Sequence, residues 1–220
     1  AGKLPHNIET LLNENFGSLP LNKAQLPHLT HPAEAATEKK YRIINDKDGI
    51  QGAIRIASHF PGIHHPHFTK AQVLNTLFGG YFGSRLMSNI REDKGYTYGI
   101  HSYMQNHVQQ SAWMISTEAG KEVCEATITE VYKEMQVLRE KTVSEEELLL
   151  VKNFLIGTIL GDLDGPFHII GRWKNIILNE LAEDYFYTSV AGIKNVTTKE
   201  IQELANQYLL PEKFYELVVV

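Results

Sequence analysis

A single cysteine, Cys124, stands in 220 residues, which excludes an internal disulfide framework and a cysteine-based zinc site. Its setting, Lys121-Glu122-Val123-Cys124-Glu125-Ala126, reads as a helix turn and favours a small packed side chain over a reactive thiol. Basic runs are missing as well. With 21 Lys and Arg against 26 Asp and Glu, and a pI near 6.1, the chain lacks the basic face that nucleic-acid binding needs. No apolar run approaches the ~18 residues that span a bilayer, and no secretory leader is visible. The opening Ala1-Gly2-Lys3 carries no initiator methionine, so a processed or excised chain is expected, and neither cytoplasm nor periplasm is singled out. What is present is ordinary: 43% hydrophobic and 21% charged residues, enough for a core without staples.

Hydrophobic spacing divides the chain. Ile8, Leu11, Leu12 and Phe16 form one stripe of a helix over 5–16. A linker follows over 17–40, punctuated by Gly17, Pro20, Pro27 and Pro32. The expected organisation is a trailing helix of a preceding domain over 1–16, the linker, and a domain over 41–220. Strands are predicted over 41–46 and 50–60, the second with Ile50, Ile54, Ile56 and Phe60 on one face and Gln51, Arg55 and His59 on the other. After a His/Pro-rich turn, a helix runs to Phe78, breaks at Gly79-Gly80 and resumes through Leu86 and Ile90. Paired strands over 96–106 and 110–118 flank an Asn106-His107 turn. Helices follow over 120–139, from the Ser144/Glu147 capping box to Gly161, over 167–181, over 184–193, and from the Thr197/Glu200 cap. A strand over 214–220 closes the chain. Hairpin-linked strands with helices gathered on one face predict an α+β fold with a mostly antiparallel sheet.

Ten histidines raise the question of a metal. Helical zinc sites of hydrolases need two histidines one turn apart beside a carboxylate, as in His-Glu-x-x-His or its inverse His-x-x-Glu-His. His6-Asn7-Ile8-Glu9 is followed by Thr10, and His31-Pro32-Ala33-Glu34 by Ala35, so neither supplies the second ligand. His59, His64, His65 and His67 cluster around a turn with no Asp or Glu nearby and read as histidines of a solvated turn. Gly79-Gly80 and Gly83 lack a following Gly-Lys-Ser/Thr, so close helix packing explains them better than a phosphate cradle. Asp162, Asp164, Gly165 and Pro166 are the residues that a helix-breaking turn requires.

The remaining constellation is Asn89-Ile90-Arg91-Glu92-Asp93-Lys94-Gly95-Tyr96-Thr97-Tyr98-Gly99, which sets a guanidinium and a phenol seven residues apart around a glycine corner. By residue type alone, an exposed arginine at a helix end and a tyrosine in a half-buried strand is the plainer reading. Together with Leu77-Phe78-Gly79-Gly80 and Ser84-Arg85-Leu86, however, the segment resembles the carboxy-terminal, non-zinc domain of the M16 zinc metallopeptidases, the pitrilysin, insulysin and mitochondrial processing peptidase family. The resemblance covers 40–220 as the domain and 5–16 as the closing helix of its neighbour.

The resemblance implies that Arg91 and Tyr98 face the zinc of a partner domain across a chamber, with Tyr96 as the alternative phenol if the register is displaced by two. Peptide hydrolysis develops negative charge on the carbonyl oxygen. A phenol can stabilise that charge, while an arginine fork holds neighbouring carbonyls. The implied partners are a zinc-bearing M16 domain or subunit and an extended or unfolded peptide, added as a strand along a sheet edge. A dimer is compatible with this. Zinc is expected in the partner, no cofactor in this chain, and no activity from this chain alone. The alternative is a non-catalytic scaffold or peptide-binding subunit, since some members of the family are structural.

Overall fold

The computed structural model of the chain describes residues 2–20, 36–107 and 110–220. Most of the predicted linker, including the His31–Glu34 stretch, lies outside the described residues, as does part of the hairpin loop after His107. The five strands are β1 (Lys40–Ile43), β2 (Gln51–Phe60), β3 (Ile100–Asn106), β4 (Ser111–Gly120) and β5 (Tyr215–Val219). They form one sheet in the order β1-β5-β2-β4-β3. Only the β1–β5 pair is parallel, so the sheet is mostly antiparallel, as expected.

Alternation sets the two faces of this sheet. Ile54, Ile56 and Phe60 of β2 and Trp113, Ile115 and Ala119 of β4 point inward and are buried. Ile50 was predicted to join them, but it falls just before β2 and is exposed. The inner face meets α2 (Phe68–Asn75), α3 (Cys124–Glu140) and α7 (Thr198–Tyr208). The core side chains they contribute include Leu74, Val131, Met135, Ile201 and Leu204, each buried aliphatic contributing roughly 1.5–3 kcal/mol by leaving water. Cys124 opens α3 as a buried, packed thiol whose pKa is raised chiefly by that burial.

Both sequence-read caps form. Ser144 accepts from the Glu147 N–H at the start of α4 (Glu145–Gly161), and Thr197 with Glu200 completes a reciprocal box on α7. Two further helices, α5 (Pro166–Leu178) and α6 (Tyr185–Asn195), follow the Asp162–Gly165 turn, where Gly165 takes φ +88°. The amino-terminal helix α1 (Ile8–Phe16) buries none of its residues, its predicted apolar stripe included. The same is true of α5, which leaves Phe167, Ile170, Trp173 and Ile177 exposed.

One joint positions the rest. Helix α2 continues as a π-helical turn, Thr76–Gly80, stops where Tyr81 becomes extended, and resumes as a second π-helical stretch, Met87–Asp93. Such wide turns recur at functional sites. A Cβ on Gly79 would lie 2.6 Å from Ser102 Cβ and 2.9 Å from Ser102 N, so only glycine lets this turn touch β3. Asn75 Nδ2 donates to Ser102 O (3.1 Å), Ser102 Oγ donates to Asn75 Oδ1 (2.7 Å), and Trp113 Nε1 donates to Ser102 Oγ (2.8 Å). Arg85 adds a two-pronged bond to Glu147, at 2.8 Å each. The glycine pair is therefore a packing hinge fixed to sheet and helix alike.

Candidate functional site: an arginine-clamped tyrosine loop

The second π-helical stretch ends just after Arg91, and the chain turns at Gly95, whose φ of +67° lies in the left-handed region that favours glycine. Lys94 N–H donates to Asn89 O and Tyr96 N–H to Ile90 O, both at 3.0 Å, closing the helix end. The strand predicted from Tyr96 begins only at Ile100. Residues 96–99 form a loop instead, because Tyr96 N–H returns to Ile90 O and the main-chain groups of Tyr98 and Gly99 bond to side chains rather than to a neighbouring strand.

Thr97 organises that loop. Its hydroxyl sits 2.6 Å from Glu118 O and 3.0 Å from Gly99 O, and it accepts from Gly99 N–H (3.1 Å) and the Thr117 hydroxyl (2.9 Å). The loop is thereby fastened to β4. Arg91 Nε donates to Tyr98 O at 3.0 Å, and its guanidinium lies 4.7 Å from the Phe82 ring centroid, a cation–π distance. Glu92 Oε1 is 3.7 Å from Arg91 Nη1, a loose and solvated pair.

The two predicted residues are therefore joined through the arginine side chain and the tyrosine main chain. The Tyr98 side chain itself stands 94% exposed, not half-buried in a strand. Tyr96, the alternative phenol, packs against the core instead. Phe82 and Thr97 went unremarked in the sequence. Phe82 was legible as an aromatic between two glycine breaks, whereas the role of Thr97 depends on β4 and had no local signal. Beside Tyr98 lies an open groove of about 360 Å³ lined by Gln51, Arg55, His101, Ser116 and Glu118, among others. Chemically, the rim offers guanidinium N–H and phenol O–H donors suited to carbonyl oxygens.

The histidine cluster does not converge on a point. His67 Nδ1 lies 2.9 Å from Tyr208 Oη, and His67 N–H donates to His65 Nδ1 at 3.1 Å. Both rings are half-buried against Tyr208, so two of the four are not the solvated turn residues expected. Burial, then the neighbouring His67, holds the His65 pKa below its usual value. Among the described residues, no group of three or more His, Cys, Asp or Glu is placed to hold a metal ion. The described side chains therefore do not fit a zinc centre. Asp162 caps the end of α4 and accepts from Arg172 at 3.1 Å, as a turn residue does.

The family described as "Peptidase M16 inactive domain" matches residues 1–155. This chain belongs to that family. An uncharacterized zinc protease of Rickettsia felis is 30% identical over 157 residues, covering 64% of this M16 inactive domain and 38% of the relative. The M16 domain thus spans about half, or less, of the length of the curated relatives it matches. A solved protease from Helicobacter pylori shares the fold with a TM-score of 0.85 at 14% identity, covering 99% of this chain and 53% of that one. A chain of complex III from Candida albicans does so with a TM-score of 0.78 at 14% identity, covering 99% and 53%.

Proposed function

We propose that this M16 inactive domain is the non-zinc half of a zinc metallopeptidase, with Arg91 and Tyr98 as the groups it contributes to peptide binding and turnover. The observation that carries the reading is the contrast at Tyr98. Its loop is fixed by the hydrogen bonds of the Thr97 hydroxyl and by one from Arg91, yet Tyr98 is 94% exposed. An aromatic donor on a fixed loop, with no hydrogen-bond partner for its hydroxyl among the described residues, suits a ligand that arrives from outside.

In this proposal the zinc sits on a partner half, where it would supply the activated water. Tyr98 donates its O–H to the carbonyl oxygen at the bond being cleaved. Arg91, held by Tyr98 O and the Phe82 ring, presents its outer N–H groups to flanking carbonyls, and an extended peptide adds along a sheet edge. The exposed apolar side chains of α5 support a missing partner, since Phe167, Ile170, Trp173 and Ile177 form a face of the kind that associating proteins cover. So does the unburied stripe of α1, which suits a helix that closes a neighbouring domain, with the domain proper beginning near 41.

The test is reconstitution. This chain alone cleaves no unfolded peptide. Mixed with a zinc-bearing M16 half it does, and Arg91→Ala or Tyr98→Phe then lowers kcat/KM by about 100- to 1000-fold. Cleavage that ignores both substitutions refutes the roles. The second reading, a scaffold or peptide-binding subunit, is favoured by the shared fold with the complex III chain. It predicts peptide binding and assembly with no turnover in any combination.

A further inference from the structure

The groove beside Tyr98 contains a cation that the reading above does not use. Arg55 is half-buried on the outer face of β2, where its Nη1 donates to Ile54 O (2.9 Å) and Thr117 O (3.2 Å). Both partners are main-chain carbonyls. Among the described residues, Arg55 makes no ion pair, in contrast to Arg42, Arg85 and Arg91, each of which meets a glutamate. A half-desolvated guanidinium without a counter-charge is an incomplete arrangement. Its remaining N–H groups form a planar fork matched to a carboxylate.

Register supplies the rest of the site. Arg55 lies directly opposite Ser116, and Ser116 directly opposite His101, so the three form one row across the outer face of β2, β4 and β3. With strands about 4.8 Å apart, a carboxylate above Ser116 is within side-chain reach of both flanking residues. The Ser116 hydroxyl has no hydrogen-bond partner among the described residues, and His101 Nε2 leans toward the loop, 3.5 Å from where a Cβ on Gly99 would stand. One carboxylate already lines the groove, that of Glu118. It lies one same-face step along β4 from Ser116, is exposed, and pairs with neither Arg55 nor any other cation among the described residues.

We infer that Arg55, with Ser116 and His101, forms a subsite for an acidic side chain of a bound peptide. This rests on the proposal that the groove at Tyr98 receives extended peptide. His101 follows Tyr98 by three residues and both line the groove, so the acidic residue sits a few positions from the carbonyl at Tyr98. Arg55 is then a specificity-determining residue. Glu118, at the other end of the groove, limits how strongly a carboxylate is held.

The experiment measures binding to this chain by fluorescence anisotropy, using a labelled unfolded peptide with one glutamate and its glutamine and lysine counterparts. The glutamate peptide is expected to bind about tenfold more tightly than the glutamine one, the effect of one charge-assisted contact. Arg55→Gln should abolish the difference, Arg55→Lys should keep part of it, and Glu118→Gln should widen it. Equal binding of all three peptides, no binding of any, or a preference that survives Arg55→Gln overturns the inference. Should Arg55→Gln fail to fold by thermal melt, Glu118→Gln decides: a widened preference supports the subsite and an unchanged one overturns it. Cleavage by the reconstituted peptidase that needs Tyr98 but ignores the glutamate leaves the peptidase reading standing and removes the subsite. A glutamate preference in binding without any cleavage does the reverse.

Discussion

Replacing Ser102 by alanine should be among the most damaging small changes in this domain, although it removes one atom. The hydroxyl bridges two buried groups, donating to Asn75 Oδ1 at 2.7 Å and accepting from Trp113 Nε1 at 2.8 Å. Trp113 is 1% exposed and Asn75 is buried, so water cannot replace either bond. A buried polar group left without its partner costs about 1–3 kcal/mol, and here there are two, so the expected loss is about 2–5 kcal/mol. Set against a total stability of roughly 5–15 kcal/mol, that is a large share. At about 2–4 °C per kcal/mol for a chain of this size, the melting temperature should fall by about 4–20 °C. Urea unfolding followed by tryptophan fluorescence gives the free energy. Ser102→Ala in a Trp113→Phe background should cost measurably less, because the stranded indole N–H is gone, with a coupling of about 1 kcal/mol or more. Ser116→Ala on the opposite face, whose hydroxyl bonds nothing among the described residues, should stay within about 0.5 kcal/mol. A loss below about 1 kcal/mol for Ser102→Ala, or equal costs in both backgrounds, would show that this network does not hold the hinge to the sheet.

Gly79→Ala places a methyl 2.6 Å from Ser102 Cβ and should cost about 1–3 kcal/mol by overpacking, measured by the same unfolding curve. Glu216 is 2% exposed in the core and is held by Arg42 (2.6 Å), Lys40 (3.2 Å) and Tyr132 (2.9 Å). Arg42→Met should therefore cost about 3 kcal/mol, whereas Lys40→Met, at the solvated end, should cost under about 1 kcal/mol by calorimetry. Burial pushes the Glu216 carboxyl up, but the bonds from Arg42, Tyr132 and Lys40 outweigh it and leave the pKa below the ordinary 4.5. Glu200, bonded first by Lys70 and then by the Thr197 N–H, is pulled from 4.5 down to about 2. Both groups therefore stabilise the fold fully above pH 4.5, and Glu200 loses its share as pH falls toward about 2. Unfolding free energy at descending pH should drop across that window, and Glu200→Gln should flatten the drop.

Much of this was legible in local pattern. The alternation in β2 and β4, the Ser144 and Thr197 caps, the glycine break at Gly79-Gly80 and the Gly95 corner each have a cause within a few residues. Their hydrogen bonds or φ angles depend on near neighbours, and so each appeared where it was expected. The misplacements have the opposite origin. Ile50 was assigned to the core because strand alternation carries no mark of where pairing ends. Tyr98 was assigned to a strand because nothing in Tyr96-Thr97-Tyr98-Gly99 shows that Thr97 bonds to Glu118 O and Thr117, twenty or more residues away. His65 and His67 read as solvated because Tyr208, which packs on them, lies far along the chain.

The amino-acid sequence by itself determined the family, the α+β class, the short spacing between Arg91 and two tyrosines around a glycine corner, and the lack of any His-x-x-Glu-His ligand set. Those are properties of residue identity and spacing, which folding does not alter. Only the tertiary structure decided which of the two phenols is exposed, by packing Tyr96 on the core and leaving Tyr98 in the open. It alone set Arg55, Ser116 and His101 in one row, because that row joins the β3–β4 hairpin to a strand more than forty residues earlier in the chain. Long-range pairing of this kind is fixed by the burial of whole faces, and no local stretch of sequence contains it.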